Sequence, residues 1–316
     1  MFPARLLPVV LLCACFRGGP EVVALPASLP NQATQAAVVA QRHTVTVDGH
    51  PIAVHSKRPA RARAAVVLVH GRTWSGLPDF DLQVPGAQVS LMDALVAADV
   101  AAYAVDLRGY GATPRDATGF ATPKQSAADV AEVLRFVAAD AGLGEPPYLL
   151  GWSMGALVSA LTVQLHPELA RGLVLYGYPC RAGAPTPAGP DPETPRRAAN
   201  TASAAASDFI TPTAVSRGVI DGFVAAALAA DPVRADWRGG AAWSELSFAR
   251  LRVPVLLLHG EFDPFVDRAC LVDHFKQLTS VDHGWQILAG ADHAAHLEAA
   301  APRFVAAVVD FMAMKR

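Results

Sequence analysis

The chain has 316 residues, enough for one large domain with a full core, and its formal charge of −2 mixes both signs. No basic face argues for nucleic-acid binding. The 52% hydrophobic share is inflated by alanine and is not by itself a membrane signature.

Met1 to Arg5 carries one positive charge, and Leu6 to Phe16 is an apolar run of about a dozen residues. Such a run is too short to span a bilayer and suits the core of a signal peptide. Val22-Val23-Ala24 offers a small-residue cleavage site before Leu25. Residues 1–24 are expected to be a signal peptide and the protein to be exported, periplasmic or secreted. Leu12-Cys13-Ala14-Cys15 also resembles a bacterial lipoprotein cleavage motif, with Cys15 as the lipid-bearing residue and Cys13 unusual within it. Residues 25–40 read as a flexible lead-in, and 41–316 as one domain.

Strands are predicted near 43–47, 52–56, 64–69, 101–105, 147–150, 172–176, 253–258 and 284–288. Helices are predicted near 88–98, 125–140, 154–166, 266–278 and 296–313. This alternation of apolar strands with helices predicts an α/β fold, a mostly parallel eight-stranded sheet with helices on both faces. The first two strands lack an intervening helix and should form an antiparallel edge. The segment from about 178 to 248 breaks the alternation, opening with the proline-rich run Pro179 to Pro195. It is expected to be a helical lid, with Phe209, Phe223, Trp237 and Trp243 as its own small core or as pocket lining.

Four stretches at strand ends carry chemistry. After 64–69 comes His70-Gly71-Arg72-Thr73-Trp74, where Gly71 lets the backbone turn. After 147–150 comes Gly151-Trp152-Ser153-Met154-Gly155, the G-x-S-x-G form of a nucleophile elbow, followed by a helix. In such a turn the hydroxyl is pushed out above the sheet. The two glycines are needed because side chains there would strike the neighbouring strand and helix. After 253–258 comes His259-Gly260-Glu261-Phe262-Asp263-Pro264, and after 284–288 comes Ala289-Gly290-Ala291-Asp292-His293. A serine hydroxyl needs a histidine to take its proton, and the histidine needs a carboxylate to hold its tautomer.

Val69-His70-Gly71, Val105-Asp106-Leu107-Arg108-Gly109-Tyr110-Gly111, Gly151 to Gly155, Leu258 to Asp263 and Gly290 to His293, in this order, resemble the α/β-hydrolase fold family of serine-nucleophile type, esterase- and lipase-like. The family's order of serine, acid and histidine makes Ser153 the expected nucleophile, Asp263 the acid and His293 the base. Glu261 is the competing acid, and His296 the competing base. The backbone N–H groups of Met154 and Arg72 are the expected oxyanion-hole donors. The Arg72 side chain either meets an anionic substrate group or lies on the surface, and Trp74 either walls the pocket or packs its loop. By the same resemblance Asp106 and Arg108 form a structural turn and His70 buttresses the oxyanion loop.

The implied activity is hydrolysis of a carboxylic ester or related acyl bond in a small-molecule substrate, with no cofactor. Lactonase, amidase, thioesterase, carbon–carbon bond hydrolase and cofactor-free perhydrolase chemistry use the same triad. A non-catalytic small-molecule receptor on the same shell is the alternative of another class. No metal-ligand spacing occurs. Once a signal peptide is removed Cys180 and Cys270 remain, and they are expected to be free thiols although an exported compartment permits a disulfide.

Overall fold

The computed structural model describes residues 39–180, 191–211, 213–280 and 282–314. The expected signal peptide, Cys15, nearly all of the lead-in and the middle of the proline-rich run lie outside the described residues.

The described residues open with a hairpin, β1 (Gln41–Val47) and β2 (His50–Lys57), closed by Asp48-Gly49, both at positive φ. Then come β3 (Ala64–Val69), α1 (Gly76–Phe80), α2 (Leu91–Ala97), β4 (Val100–Val105), β5 (Phe120–Ala121) and α3 (Pro123–Ala141). β6 (Tyr148–Trp152), α4 (Met154–Leu165) and β7 (Leu173–Tyr176) follow. Between β7 and β9 the chain leaves the sheet for an insert with α5 (Ala202–Ala206), α6 (Arg217–Ala230) and β8 (Asp236–Trp237). β9 (Val255–Gly260), α7 (Arg268–Gln277), β10 (His283–Leu288) and α8 (Ala301–Ala313) complete the fold.

Eight strands form one sheet in the order β1-β2-β4-β3-β6-β7-β9-β10. The β1–β2 and β2–β4 pairs are antiparallel and the rest parallel, so the antiparallel edge lies where the sequence placed it. The pleat explains why the central strands carry no polar alternation. In β3, Val67 and Val69 belong to the apolar cluster that holds Val130 and Leu134 of α3 and Leu157 of α4, while Val66 and Leu68 belong to the one that holds Leu91 and Leu95 of α2 and Phe304 and Val308 of α8.

Helix boundaries follow local chemistry. Thr122 caps α3 by accepting from the Gln125 N–H, Pro123 starts the helix, and Gly142 ends it in the left-handed conformation. Asp267 caps α7 through the N–H groups of Ala269 and Cys270. The last helix starts at Ala301, not near 296: residues 294–300 are held in turns by side chains described below.

The insert is tied to the domain by polar contacts. Asp231, just past α6, accepts from the Ser75 N–H and the Gly111 N–H, each at 2.8 Å. β8 pairs with β5, which the sequence reading missed because two-residue strands leave no periodicity. Phe209 and Phe223 do not form a separate core. They pack edge-to-face on one another, and Phe223 packs on Trp74, within the same apolar cluster as α2 and α8.

Cys180 and Cys270 form a disulfide with Cα atoms 5.9 Å apart, which corrects the expectation of two free thiols. β7 and β9 are neighbours, so the loop after β7 and the first turn of α7 come together at the same end of the sheet. The bond closes a chain separation of 90 residues. Replacing both cysteines, Cys180→Ser with Cys270→Ser, should lower unfolding free energy by about 2–5 kcal/mol. Denaturant unfolding of the oxidised wild type against the double variant checks this, and coincident transitions would contradict it.

Candidate active site

The turn from β6 into α4 is tightly packed on both sides. Ser153 sits between them at φ 55° and ψ −119°, a positive-φ conformation that costs a non-glycine residue about 1–3 kcal/mol. The flanking glycines make the turn possible. A Cβ on Gly155 would lie 2.2 Å from the Val69 carbonyl oxygen of β3, and one on Gly151 would lie 2.2 Å from the Gly155 carbonyl oxygen. The Ser153 N–H donates to the Tyr176 carbonyl at 2.9 Å, which fixes the turn against the end of β7.

Asp263 follows β9 and His293 follows β10. Their side chains are buried and meet, with His293 Nδ1 2.8 Å from Asp263 Oδ2. The other carboxylate oxygen accepts from the Phe265 N–H at 3.0 Å. This arrangement puts the His293 proton on Nδ1 and leaves Nε2 with its lone pair, the tautomer a base requires. The His293 carbonyl accepts from the Trp152 indole N–H at 2.9 Å and from the Tyr176 hydroxyl at 2.6 Å. The side chains that end β6 and β7 thus hold the His293 loop beside the Ser153 turn. The Phe265 ring stands edge-on to the His293 ring, 4.6 Å between centroids, and is itself exposed.

The competing residues are placed elsewhere. Glu261 accepts from the Gly290 N–H at 2.9 Å on the exposed side of its loop. His296 is buried, with Nε2 on the Asp79 carbonyl at 2.8 Å and Nδ1 beside the Tyr176 hydroxyl at 3.2 Å. It lies before the last helix and is enclosed, not in the first turn of a helix as the sequence predicted. Burial pulls its pKa down to about 3.

The loop after β3 is held from three sides. His70 Nδ1 donates to the Gly71 carbonyl at 2.8 Å, and its Nε2 accepts from the Leu107 N–H at 3.1 Å. Burial lowers the His70 pKa, which suits this neutral tautomer. The Gly71 N–H reaches Asp79 Oδ2 at 3.2 Å. The Arg72 carbonyl accepts from the Tyr110 hydroxyl, which in turn accepts from the Trp237 indole N–H at 2.7 Å. Among the described residues no hydrogen bond occupies the backbone N–H of Arg72 or of Met154. A Cβ on Gly71 would lie 3.7 Å from Ser153 Cβ, so this loop and the elbow touch.

Asp106 has the structural role the resemblance implied. It accepts from the Gly76 and Ala112 N–H groups at 2.9 Å each and pairs with His55 at 2.8 Å. Arg108 forms a two-pronged pair with Asp129 at 2.7 and 2.8 Å. Trp74 is buried and donates to Asp208 of the insert at 2.7 Å, so it packs its loop and anchors the insert.

Sequence reasoning missed several residues around the site. Asp79 is wholly buried under the loop after β3, where burial raises its carboxyl well above the usual range. Burial also raises Asp208 to about 6, while Trp74 and His293 favour its charged form. Tyr176 and Trp152 were legible only as strand residues. The one metal-ligand type of cluster among the described residues is Cys180, Cys270 and His274, and its sulfurs are bonded to one another.

A parallel sheet with an antiparallel edge, a strained serine turn and an aspartate–histidine pair at neighbouring strand ends define an α/β-hydrolase, and the protein is a hydrolytic enzyme of that class. The chain belongs to the serine aminopeptidase S33 family (Hydrolase_4), which matches residues 60–300. Among solved structures it is similar to the esterase RhEst1 from Rhodococcus sp. ECU1013, at 25% identity and a TM-score of 0.63, covering 87% of this chain and 99% of that one. It is also similar to a serine hydrolase involved in carbazole degradation (15% identity, TM-score 0.62, covering 88% of this chain and 100% of that one). A thioesterase domain from the curacin biosynthetic pathway matches at 17% identity with a TM-score of 0.59, covering 87% of this chain and 100% of that one. No curated protein sequence matches the chain.

The buried histidines give a signed prediction. Unfolded His296 takes up a proton below about pH 6.5, and the folded protein does so only near pH 3. Its contribution to stability is complete above pH 6.5 and is lost as pH falls through that window. Denaturant unfolding of wild type and His296→Gln at pH 7 and pH 5 should show a smaller loss between the two pH values in the variant. Equal losses would contradict this placement of His296.

Proposed function

We propose that the protein is a serine hydrolase that cleaves a carboxylic ester or related acyl bond through an acyl-enzyme on Ser153. The observation that carries this reading is the 2.8 Å pair of His293 Nδ1 and Asp263 Oδ2 at the strand ends beside the strained Ser153 turn.

Ser153 Oγ attacks the substrate carbonyl carbon while His293 Nε2 takes its proton. Asp263 keeps the second proton on Nδ1 and stabilises the imidazolium that forms. The carbonyl oxygen gathers negative charge and is met by the N–H groups of Met154 and Arg72, each worth roughly 3–4 kcal/mol in the transition state. The N-terminal end of α4 favours the same charge. Collapse of the tetrahedral intermediate expels the leaving alcohol, which takes the proton from His293. Water then attacks the acyl group by the same path in reverse, freeing the acid and Ser153.

The insert between β7 and β9 acts as a lid in this account, since Asp208 and the 210–211 backbone stand against the His293 loop. The exposed Phe262 and Phe265 offer an apolar rim for the substrate. The esterase among the similar structures supports an ester as the first substrate to try. The family's description as serine aminopeptidase favours amides as the second, because the same steps expel an amine. Export from the cytoplasm is supported by the apolar run at Leu6 to Phe16 and by the Cys180–Cys270 disulfide, which an oxidising compartment preserves.

A fluorophosphonate probe should label the folded protein at Ser153, and Ser153→Ala should abolish labelling and lower turnover of an activated ester by about four to six orders of magnitude. Labelling at another residue, or a variant with near-wild-type turnover, would overturn the mechanism.

A further inference from the structure

Among the described residues two aromatic rings lie against the His293 imidazole, and only one of them shows a face to the outside. Trp152 lies 5.3 Å away between ring centroids and is 3% exposed. Phe265 stands edge-on at 4.6 Å and is 53% exposed, while His293 beside it is 4% exposed. Single exposed apolar side chains are ordinary on a protein surface, and this one is set apart by its place. The Phe265 N–H donates to Asp263 Oδ1 at 3.0 Å, and the other oxygen of that carboxylate meets His293 Nδ1 at 2.8 Å. One short turn therefore carries both the acid and the ring. The backbone supplies the hydrogen bond, so the ring itself is not needed to hold the acid.

Two more exposed apolar residues are tied to the loop that carries His293. The Phe262 N–H donates to the Ala291 carbonyl at 2.9 Å, and the Ile210 N–H of the insert donates to Asp292 Oδ2 at 3.1 Å. Both side chains are exposed. The loop after β9 and the insert thus each bring apolar surface to the residues just before His293, and Phe265 brings it to the imidazole itself.

In the proposed reaction the leaving group is the part of the substrate that must pass the imidazole. As the tetrahedral intermediate collapses, the bond from the acyl carbon to the alcohol oxygen breaks, and its electron pair stays on that oxygen. The oxygen takes the proton from His293 Nε2, while the acyl carbon stays bonded to Ser153 Oγ. The leaving oxygen must therefore come within hydrogen-bond distance of Nε2, and the carbon chain it bears lies beside whatever flanks the imidazole. We propose that Phe265 is the leaving-group contact, and that the esters this enzyme takes carry an apolar alcohol, aliphatic or aromatic, packed on the Phe265 ring. This rests on the assignment of Ser153 as nucleophile and His293 as base.

The test uses wild type, Phe265→Ala and Phe265→Leu in the full chain, with two ester series. One keeps the acyl group, as methyl, butyl and benzyl butyrate, and the other keeps the alcohol, as methyl acetate, butyrate and hexanoate. The ratio of kcat/KM for benzyl over methyl butyrate reads the alcohol side, because kcat/KM covers the steps up to the acyl-enzyme and the alcohol is gone after it. This ratio should favour benzyl in the wild type and fall about tenfold in Phe265→Ala, with Phe265→Leu keeping most of it. The ratios along the methyl series should be the same in all three proteins. An unchanged benzyl-to-methyl ratio in Phe265→Ala, or a loss confined to the acyl series, would overturn the proposal. Fluorophosphonate labelling of Ser153, in which fluoride leaves and no alcohol is recognised, reads the serine chemistry separately. An unchanged ratio with labelling retained therefore overturns the leaving-group contact alone.

Discussion

The structure depends on the close approach of α4 to β3 at Gly155. With no Cβ there, the first turn of α4 lies against the Val69 carbonyl, and the chain can leave β6 through a single strained residue. A methyl group at 155 or 151 would overlap backbone atoms that have nowhere to move, because β3 and β6 are paired at the centre of the sheet. The strain at Ser153 is sustained by these neighbours and by its N–H bond to Tyr176. Among the described residues the same geometry leaves the Met154 N–H without a hydrogen-bond partner at the start of a helix, the end that favours negative charge.

Around this turn the strand ends act through long side chains. Trp152 and Tyr176 end adjacent strands, and both donate to one acceptor, the His293 carbonyl. An aromatic body buried in the sheet with a polar tip at its edge fixes a loop without placing a charge in the core. The insert is attached in the opposite manner, by carboxylates. Asp231 reaches Ser75 after β3, Asp292 reaches into the insert from the His293 loop, and Asp208 meets Trp74. Each accepts backbone or indole N–H groups, so each holds position rather than only neutralising charge.

The elements that were legible in the sequence are those with local signatures. Ser153, Asp263 and His293 stand out because each follows an apolar strand within a few residues, and strand order then brings those loops to one edge of the sheet. The two antiparallel first strands were legible because no helix separates them. What was not legible depends on atoms far apart in sequence. His296 looked like a residue of a helix start, yet it is enclosed by Asp79 and Tyr176. The helix expected from 296 begins at Ala301 because Asp292 and Glu298 bond the intervening turns. The pairing of Cys180 with Cys270 follows from β7 lying beside β9, which no spacing between the two cysteines encodes.

The central claim is that the acyl group passes through Ser153 on its way to water. The direct measurement is mass spectrometry of protein acid-quenched during turnover of an activated aryl ester, followed by peptide mapping. The account predicts a transient acyl adduct on the peptide containing Ser153, formed at the rate of the initial burst and lost at the steady-state rate. Turnover with the adduct on another residue, or incorporation of solvent oxygen into Asp263 with none acylated at Ser153, would contradict it.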